Sequence, residues 1–339
     1  MRTTALLLLL TLVSACQPSA PAEALLEDYL TRLARVLDVE RPNVAPVRPP
    51  RMPPARVLQV QIEPVSINLL EFWGFRQCGL SEVLGERNSV LGRVMVPSQH
   101  LHMDGRILQR LRHCQKMLKD DKLLTLTKDL MQAKQAQWPS RYWNATVAAP
   151  ELRAFWSPST EPLIPGQEAS YTPAEAALGY LSSLPRRLSE NRWPEQQALE
   201  ARYKTLEQSE LGGRLLVSLE LGHHYIVAGN RMLKQATREK TLCPTPGLHK
   251  KELEYARNVM VKVFVGEVQP WLAAVNRRSH SLRAEYGVLL NRQAPKLRRK
   301  IQPFEAELAA LQSQFERALR AHVEHWQGLF DTCGSKARP

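Results

Sequence analysis

Between residues 301 and 326 the chain places Ile301, Phe304, Leu308, Leu311, Phe315, Leu319, His322 and Trp326 at intervals of three and four. Only an α-helix gathers such positions onto one face, because its 3.6-residue period brings i, i+3, i+4 and i+7 together. A stripe that long must be buried against other helices. The spacing also suits a coiled-coil seam, but a bundle core is the better reading because other amphipathic segments need a partner.

Those segments are spread along the chain. Leu25, Leu26, Tyr29, Leu33, Val36 and Leu37 share one helical face, as do Leu101, Leu108, Leu111 and Leu118 behind a capping Ser98. A capping Asp121 precedes Leu123, Leu124, Leu130 and Met131, and Thr172-Pro173-Ala174-Glu175 is a helix start leading into Tyr180, Leu181, Leu184 and Leu188. Leu199, Tyr203 and Leu206 follow Pro194, and Leu215, Leu219, Ile226 and Leu233 follow Gly212-Gly213. Tyr255, Val259 and Val263 lead towards a kink expected at Pro270. The sequence therefore predicts a mainly α, bundle-like domain over 23–339. At most a small strand element joins it near residues 58–69, where Leu58, Val60 and Ile62, then Val65, Ile67 and Leu69, alternate around Pro64.

Two proline-rich stretches interrupt this pattern. From Arg41 to Arg56, six prolines alternate with four arginines, which forbids helix and favours an extended, stiff connector, either free in solvent or laid on the domain. Residues 139–173 carry six more prolines and are expected to be irregular, as a sub-domain boundary or a long functional loop. Trp138, Tyr142, Trp143, Phe155 and Trp156 crowd five of the chain's 22 aromatic residues into that neighbourhood, either as a stacking surface for sugar or a partner or as pins onto the core.

The amino terminus supplies an address. Arg2 and an apolar run from Ala5 to Val13 have the size of a secretory leader, too short for a spanning helix. Leu12-Val13-Ser14-Ala15-Cys16 resembles the bacterial lipobox, so residues 1–15 are read as a signal peptide, Cys16 as the acylated residue and 16–22 as a lipidated spacer. Two or more acyl chains give a stable anchor, and Gln17, rather than an Asp, favours the outer membrane, facing the periplasm. In that oxidising compartment Cys78, Cys114, Cys243 and Cys333 permit two disulfides, and chain order favours Cys78 with Cys114 and Cys243 with Cys333 among three connectivities.

Forty-six Lys and Arg against 33 Asp and Glu make the chain strongly basic. The excess concentrates at Arg277, Arg278, Arg283, Arg292, Lys296, Arg298, Arg299 and Lys300, against Glu285 alone. If the helix continues through Pro295, Arg292, Lys296, Arg299 and Lys300 share a face suited to phosphate. An envelope address replaces nucleic acid, the usual partner of such a stripe, with anionic lipid, lipopolysaccharide or glycan, and a protein partner in the envelope is also compatible. No metal-ligand spacing, His-Glu-x-x-His, Gly-x-Ser-x-Gly, Walker or dinucleotide motif occurs, so no cofactor, metal or catalytic residue is assigned.

The lipobox, the helix containing Glu27-Asp28-Tyr29-Leu30-Thr31-Arg32-Leu33, the Pro/Arg connector and Phe72-Trp73-Gly74 together resemble a family of bacterial envelope lipoproteins catalogued as domain of unknown function 3080. The likeness covers most of the mature chain and implies an envelope address, with no activity or ligand to carry over. The expected role is a binding or scaffolding module, with an envelope hydrolase acting on peptidoglycan or lipid as the alternative.

Overall fold

The computed structural model describes residues 20–243, 251–291 and 293–333. It opens with α1 (Pro21–Leu37), followed by the extended 38–54 segment and a single turn, α2 (Ala55–Leu58). Short helices α3 (Leu69–Gly74), α4 (Leu80–Asn88) and α5 (Val90–Arg93) lead into a hairpin of two long ones, α6 (Pro97–Met117) and α7 (Asp121–Ala145). Then come α8 (Pro150–Phe155), α9 (Thr172–Ser189), α10 (Gln196–Glu207) and α11 (Leu211–Glu239). A near-continuous rod is built from α12 (Lys251–Asn258), a π-helical stretch (Val259–Val268) and α13 (Gln269–Asn291), before a turn, α14 (Pro295–Arg298), and the closing α15 (Gln302–Thr332).

The stripe read from 301–326 becomes the buried face of α15, with Phe304, Leu308, Leu311, Phe315, His322 and Trp326 inside. Its main neighbour is α11. Two glycines seven residues apart permit the approach: a Cβ on Gly222 would lie 2.7 Å from Phe315, and one on Gly229 would lie 3.0 Å from the His322 ring. Because 222 meets 315 and 229 meets 322, the two helices run parallel, and the Cys243–Cys333 disulfide joins their C-terminal ends. The π-helical stretch ends just before Pro270, whose ring lacks the N–H that would bond the Gly266 carbonyl, so the expected disturbance at Pro270 takes the form of a widened helix.

The 58–69 segment forms no strand, and no strand occurs among the described residues. Leu58 closes α2, and the alternating residues beyond it have no neighbouring strand to pair with. A side chain takes that role: the Val60 N–H donates to Asn144 Oδ1 at 3.0 Å, and Asn144 Nδ2 donates to the Val60 carbonyl at 2.7 Å. Trp143 Nε1 donates to the Leu58 carbonyl at 2.7 Å, and Gln137 Nε2 to that of Glu63 at 2.6 Å. The Pro/Arg connector is held in the same manner. Its Arg48 N–H donates to Glu220, Arg41 pairs with Glu27, and Val44, Val47 and Met52 pack on the core. Residues 38–67 are thus a strap on the helical body. Asn144→Ala, which orphans both Val60 groups, is expected to cost about 1–3 kcal/mol in urea unfolding.

Packing divides at a different place from 139–173. The helix carries on through Pro139 to Ala145, and one large core takes residues from Ala22 to Cys333. A second, satellite core contains Phe75, Leu80, Val83, Met103, Ile107 and Leu111 around the Cys78–Cys114 disulfide. At 1.5 Å per residue α7 is about 37 Å long and serves both, with Leu123–Met131 in the satellite and Tyr142–Ala145 in the main core.

Candidate functional site: a cationic cavity beneath the strap

Where the two cores meet, charged residues are buried. Asp104 projects from α6, its side chain only 3% exposed. Lys134 and Arg141, seven residues apart on α7 and so on one face, both turn towards it. Lys134 Nζ lies 2.9 Å from Asp104 Oδ1 and Arg141 Nε 2.8 Å from Oδ2. Burial by itself raises the Asp104 carboxyl, but the two cations and their hydrogen bonds outweigh it and hold the group below the ordinary carboxylate range.

A cavity of about 290 Å³ opens beside this cluster. Ile62, Val65 and Ile67 of the strap cover it; Leu80 and Leu84 of α4, Ile107 and Leu111 of α6 and Leu130 of α7 line it. Its polar wall holds Lys134, Arg141, Gln137 and Arg87. Arg87 Nε and Gln137 Oε1 are buried with no hydrogen-bond partner. His100 senses the local field: burial first, then the charges of Arg141 and Arg87, push its imidazole down to about 4, against the opposing pull of Asp104.

A second polar cluster lies within the main core. Trp326 Nε1 donates to the Tyr29 hydroxyl at 3.1 Å, and that hydroxyl is 2.6 Å from His322 Nε2. His322 Nδ1 is 2.6 Å from Asn230 Oδ1, while Asn230 Nδ2 donates to the Ala318 carbonyl at 3.0 Å. This direction of donation assigns the proton to Nδ1 and leaves Nε2 to accept from Tyr29. Burial and the charge of His325 push His322 down to about 3, so it is a neutral structural link between α1, α11 and α15.

The chain matches the family model described as "Protein of unknown function (DUF3080)" over residues 26–337. It belongs to the DUF3080 family. Neither curated proteins nor solved structures give a match.

The residues singled out in this DUF3080 chain fare differently. Cys16 and Arg292 lie outside the described residues. Disulfides join Cys78 to Cys114 and Cys243 to Cys333. The aromatic surface is corrected: Tyr142, Trp143, Phe155 and Trp156 are buried and only Trp138 is half-exposed, edge-on to Trp193. The Tyr142 hydroxyl and Trp143 indole bond backbone carbonyls, and Trp156 packs against Phe155, Tyr286 and Phe304. These side chains are core because apolar rings gain more from burial than a loop could return by displaying them.

The continuous basic face is corrected as well. The helix stops at Asn291 and restarts at Pro295, since the residue before a proline is driven out of the helical region. Arg278 pairs with Glu175 at 2.7 Å, Arg298 with Glu305 at 3.2 Å, Arg283 bonds Gln312, and Lys300 donates to the Gln59 carbonyl. Arg277, Lys296 and Arg299 are exposed with no ion-pair partner among the described residues. Sequence reasoning missed Asp104, Lys134, Arg141 and Arg87. The available signal was Asp104 itself, a carboxylate set among Leu101, Met103, Ile107 and Leu108 on the buried side of an amphipathic helix, where only nearby cations make its burial tolerable.

Proposed function

We propose that this DUF3080 protein is an envelope lipoprotein, held through acylated Cys16 on the periplasmic face of the outer membrane, where it acts as a binding or scaffolding module. The observation that carries this reading is the exposed apolar side chains on and around the short helices α3 and α5. Among the described residues, seven of the fourteen large hydrophobic side chains left in solvent fall between Leu69 and Val96. Leu70 is 84% exposed and Leu91 78%, with Leu69, Trp73, Val90 and Val94 beside them in sequence. Exposure on this scale marks a surface that something covers.

The proposed cover is the bilayer that bears the anchor. The Arg76 guanidinium sits 4.2 Å above the Trp73 ring, a pairing of aromatic body and cation suited to the headgroup region. Cys16 and Pro21 are five positions apart, a reach of about 18 Å at most, so the start of α1 stays near the lipid and weak contacts act at high effective concentration. Contact is peripheral, since among the described residues no helix is long and apolar enough to cross a membrane. Two disulfides accord with an oxidising compartment. Arg277, Lys296 and Arg299 are proposed to meet anionic lipid, lipopolysaccharide or glycan, a contribution that fades as salt rises.

Cys16→Ser is expected to release the protein from the membrane fraction and to remove the mass of the acyl groups; unchanged fractionation and mass would overturn the anchor. In that soluble form, Leu69→Glu/Leu70→Glu/Leu91→Glu should weaken binding to phosphatidylethanolamine–phosphatidylglycerol vesicles by at least about tenfold with an unchanged helical spectrum. Equal binding by parent and variant would remove the docking face.

A further inference from the structure

The cavity beneath the strap holds more buried positive charge than the described residues neutralise. Lys134 and Arg141, each with only 11% of its side chain exposed, share the one carboxylate of Asp104. Arg87 brings a third cation to the same wall, its Nε buried and unbonded. Glu63, also on the rim, has an exposed side chain and engages the wall through its carbonyl, which accepts from Gln137. Removing unpaired charge from water is costly, so such a wall calls for an anionic counterpart that is not part of the protein.

Apart from Ser66 and Asn88 the rest of the lining is apolar, and the α6–α7 hairpin separates the two characters. Asp104 faces Lys134 and Arg141 at one level; one turn further along α6 comes Ile107, and one turn back along α7 comes Leu130. We propose that the cavity binds a single-chain anionic amphiphile, its headgroup against Arg87, Lys134 and Arg141 and its alkyl chain along Leu84, Ile107 and Leu130. The volume favours a small occupant. About 290 Å³ is at the small end of ligand pockets, a size that suits one chain better than two. Burial is the main cause of the depressed His100 imidazole, and the charges of Arg141, Arg87 and Lys134 add to it at the headgroup end. The strap, pinned by side-chain bonds from α7, closes the cavity on its outer side. This inference is independent of membrane docking, which uses the outward side chains of the same layer.

The test uses the full mature chain with Cys16→Ser, so that its own acyl groups cannot occupy the site. Titration calorimetry with dodecanoate and with dodecyl phosphate should give saturable binding and a raised melting temperature, the tighter of the two telling a fatty acid from a phosphate-headed lipid. Dodecanol, equal in chain and lacking charge, should bind at least about tenfold more weakly, and inorganic phosphate should not displace dodecanoate. Arg87→Gln, which breaks no ion pair among the described residues, should weaken dodecanoate by about tenfold or more, and Leu84→Trp, which fills the cavity, should abolish it, both with the parental helical spectrum. Absence of saturable binding by the folded parent, equal affinity for dodecanol, displacement by inorganic phosphate, or parental affinity in folded Arg87→Gln would each overturn the proposal.

Discussion

Asp104→Ala should destabilise the protein by about 3–5 kcal/mol, because it strands two cations in a site from which water is largely excluded. Lys134 and Arg141 have no other acidic partner among the described residues, and Asp104 is the only carboxylate within 4 Å of either. Neither cation can swing fully into solvent while its helix packs on α6, so the penalty falls on the fold itself. Urea unfolding measures it. Lys134→Met added to Asp104→Ala should recover part of the loss, since the second change removes one of the two stranded charges. A loss below about 1 kcal/mol for the single variant would mean that both cations reach water and that the cluster is a surface pair.

Acid should destabilise the protein through His322. Its folded-state pKa is about 3 against an ordinary 6.5, so between those values the unfolded chain binds a proton that the native chain refuses. The contribution is therefore complete above about pH 6.5, declines as pH falls through the window at about 1.4 kcal/mol per pH unit, and is exhausted below about pH 3. His100, pushed down to about 4, acts in the same direction over an overlapping range. Unfolding free energies measured from pH 7 to pH 3 should show the decline. His322→Gln should flatten it by about one proton, because an amide can donate to Asn230 and accept from Tyr29 but does not titrate. An identical pH profile in His322→Gln would assign the acid sensitivity to other groups.

Helix positions were legible from the sequence wherever the apolar period was long, and boundaries were less so. Asp120, not Asp121, caps α7, accepting from the Leu123 N–H at 2.9 Å; Ser98 lies inside α6 and bonds Glu200 in place of its own helix end. The cap lies one residue away from an equally suitable side chain, a choice that local chemistry does not make. Pro139 is a similar case: a proline inside a helix costs about 3 kcal/mol, yet α7 runs through it because its two halves are anchored in different cores. Aromatic clustering at 138–156 was visible, but display and burial look alike in one dimension.

The sequence alone determined the helical class, since a 3.6-residue period is a local property that survives without knowledge of any partner. It also determined that the proline-rich residues 42–54 could not be helix, because proline fixes φ and removes a donor within its own residue; the expectation reached two residues too far, since Ala55 and Arg56, beyond the last proline, begin α2. Tertiary structure decided the rest. Alternation at 58–69 became a strap because the nearest available hydrogen-bonding partner was the Asn144 amide on α7 and no second strand. The candidate site depends on pairings between residues 30 and 37 positions apart, and the His322 network on one spanning 293. Which charges meet at such separations is set by how whole helices pack, and no spacing along the chain encodes it.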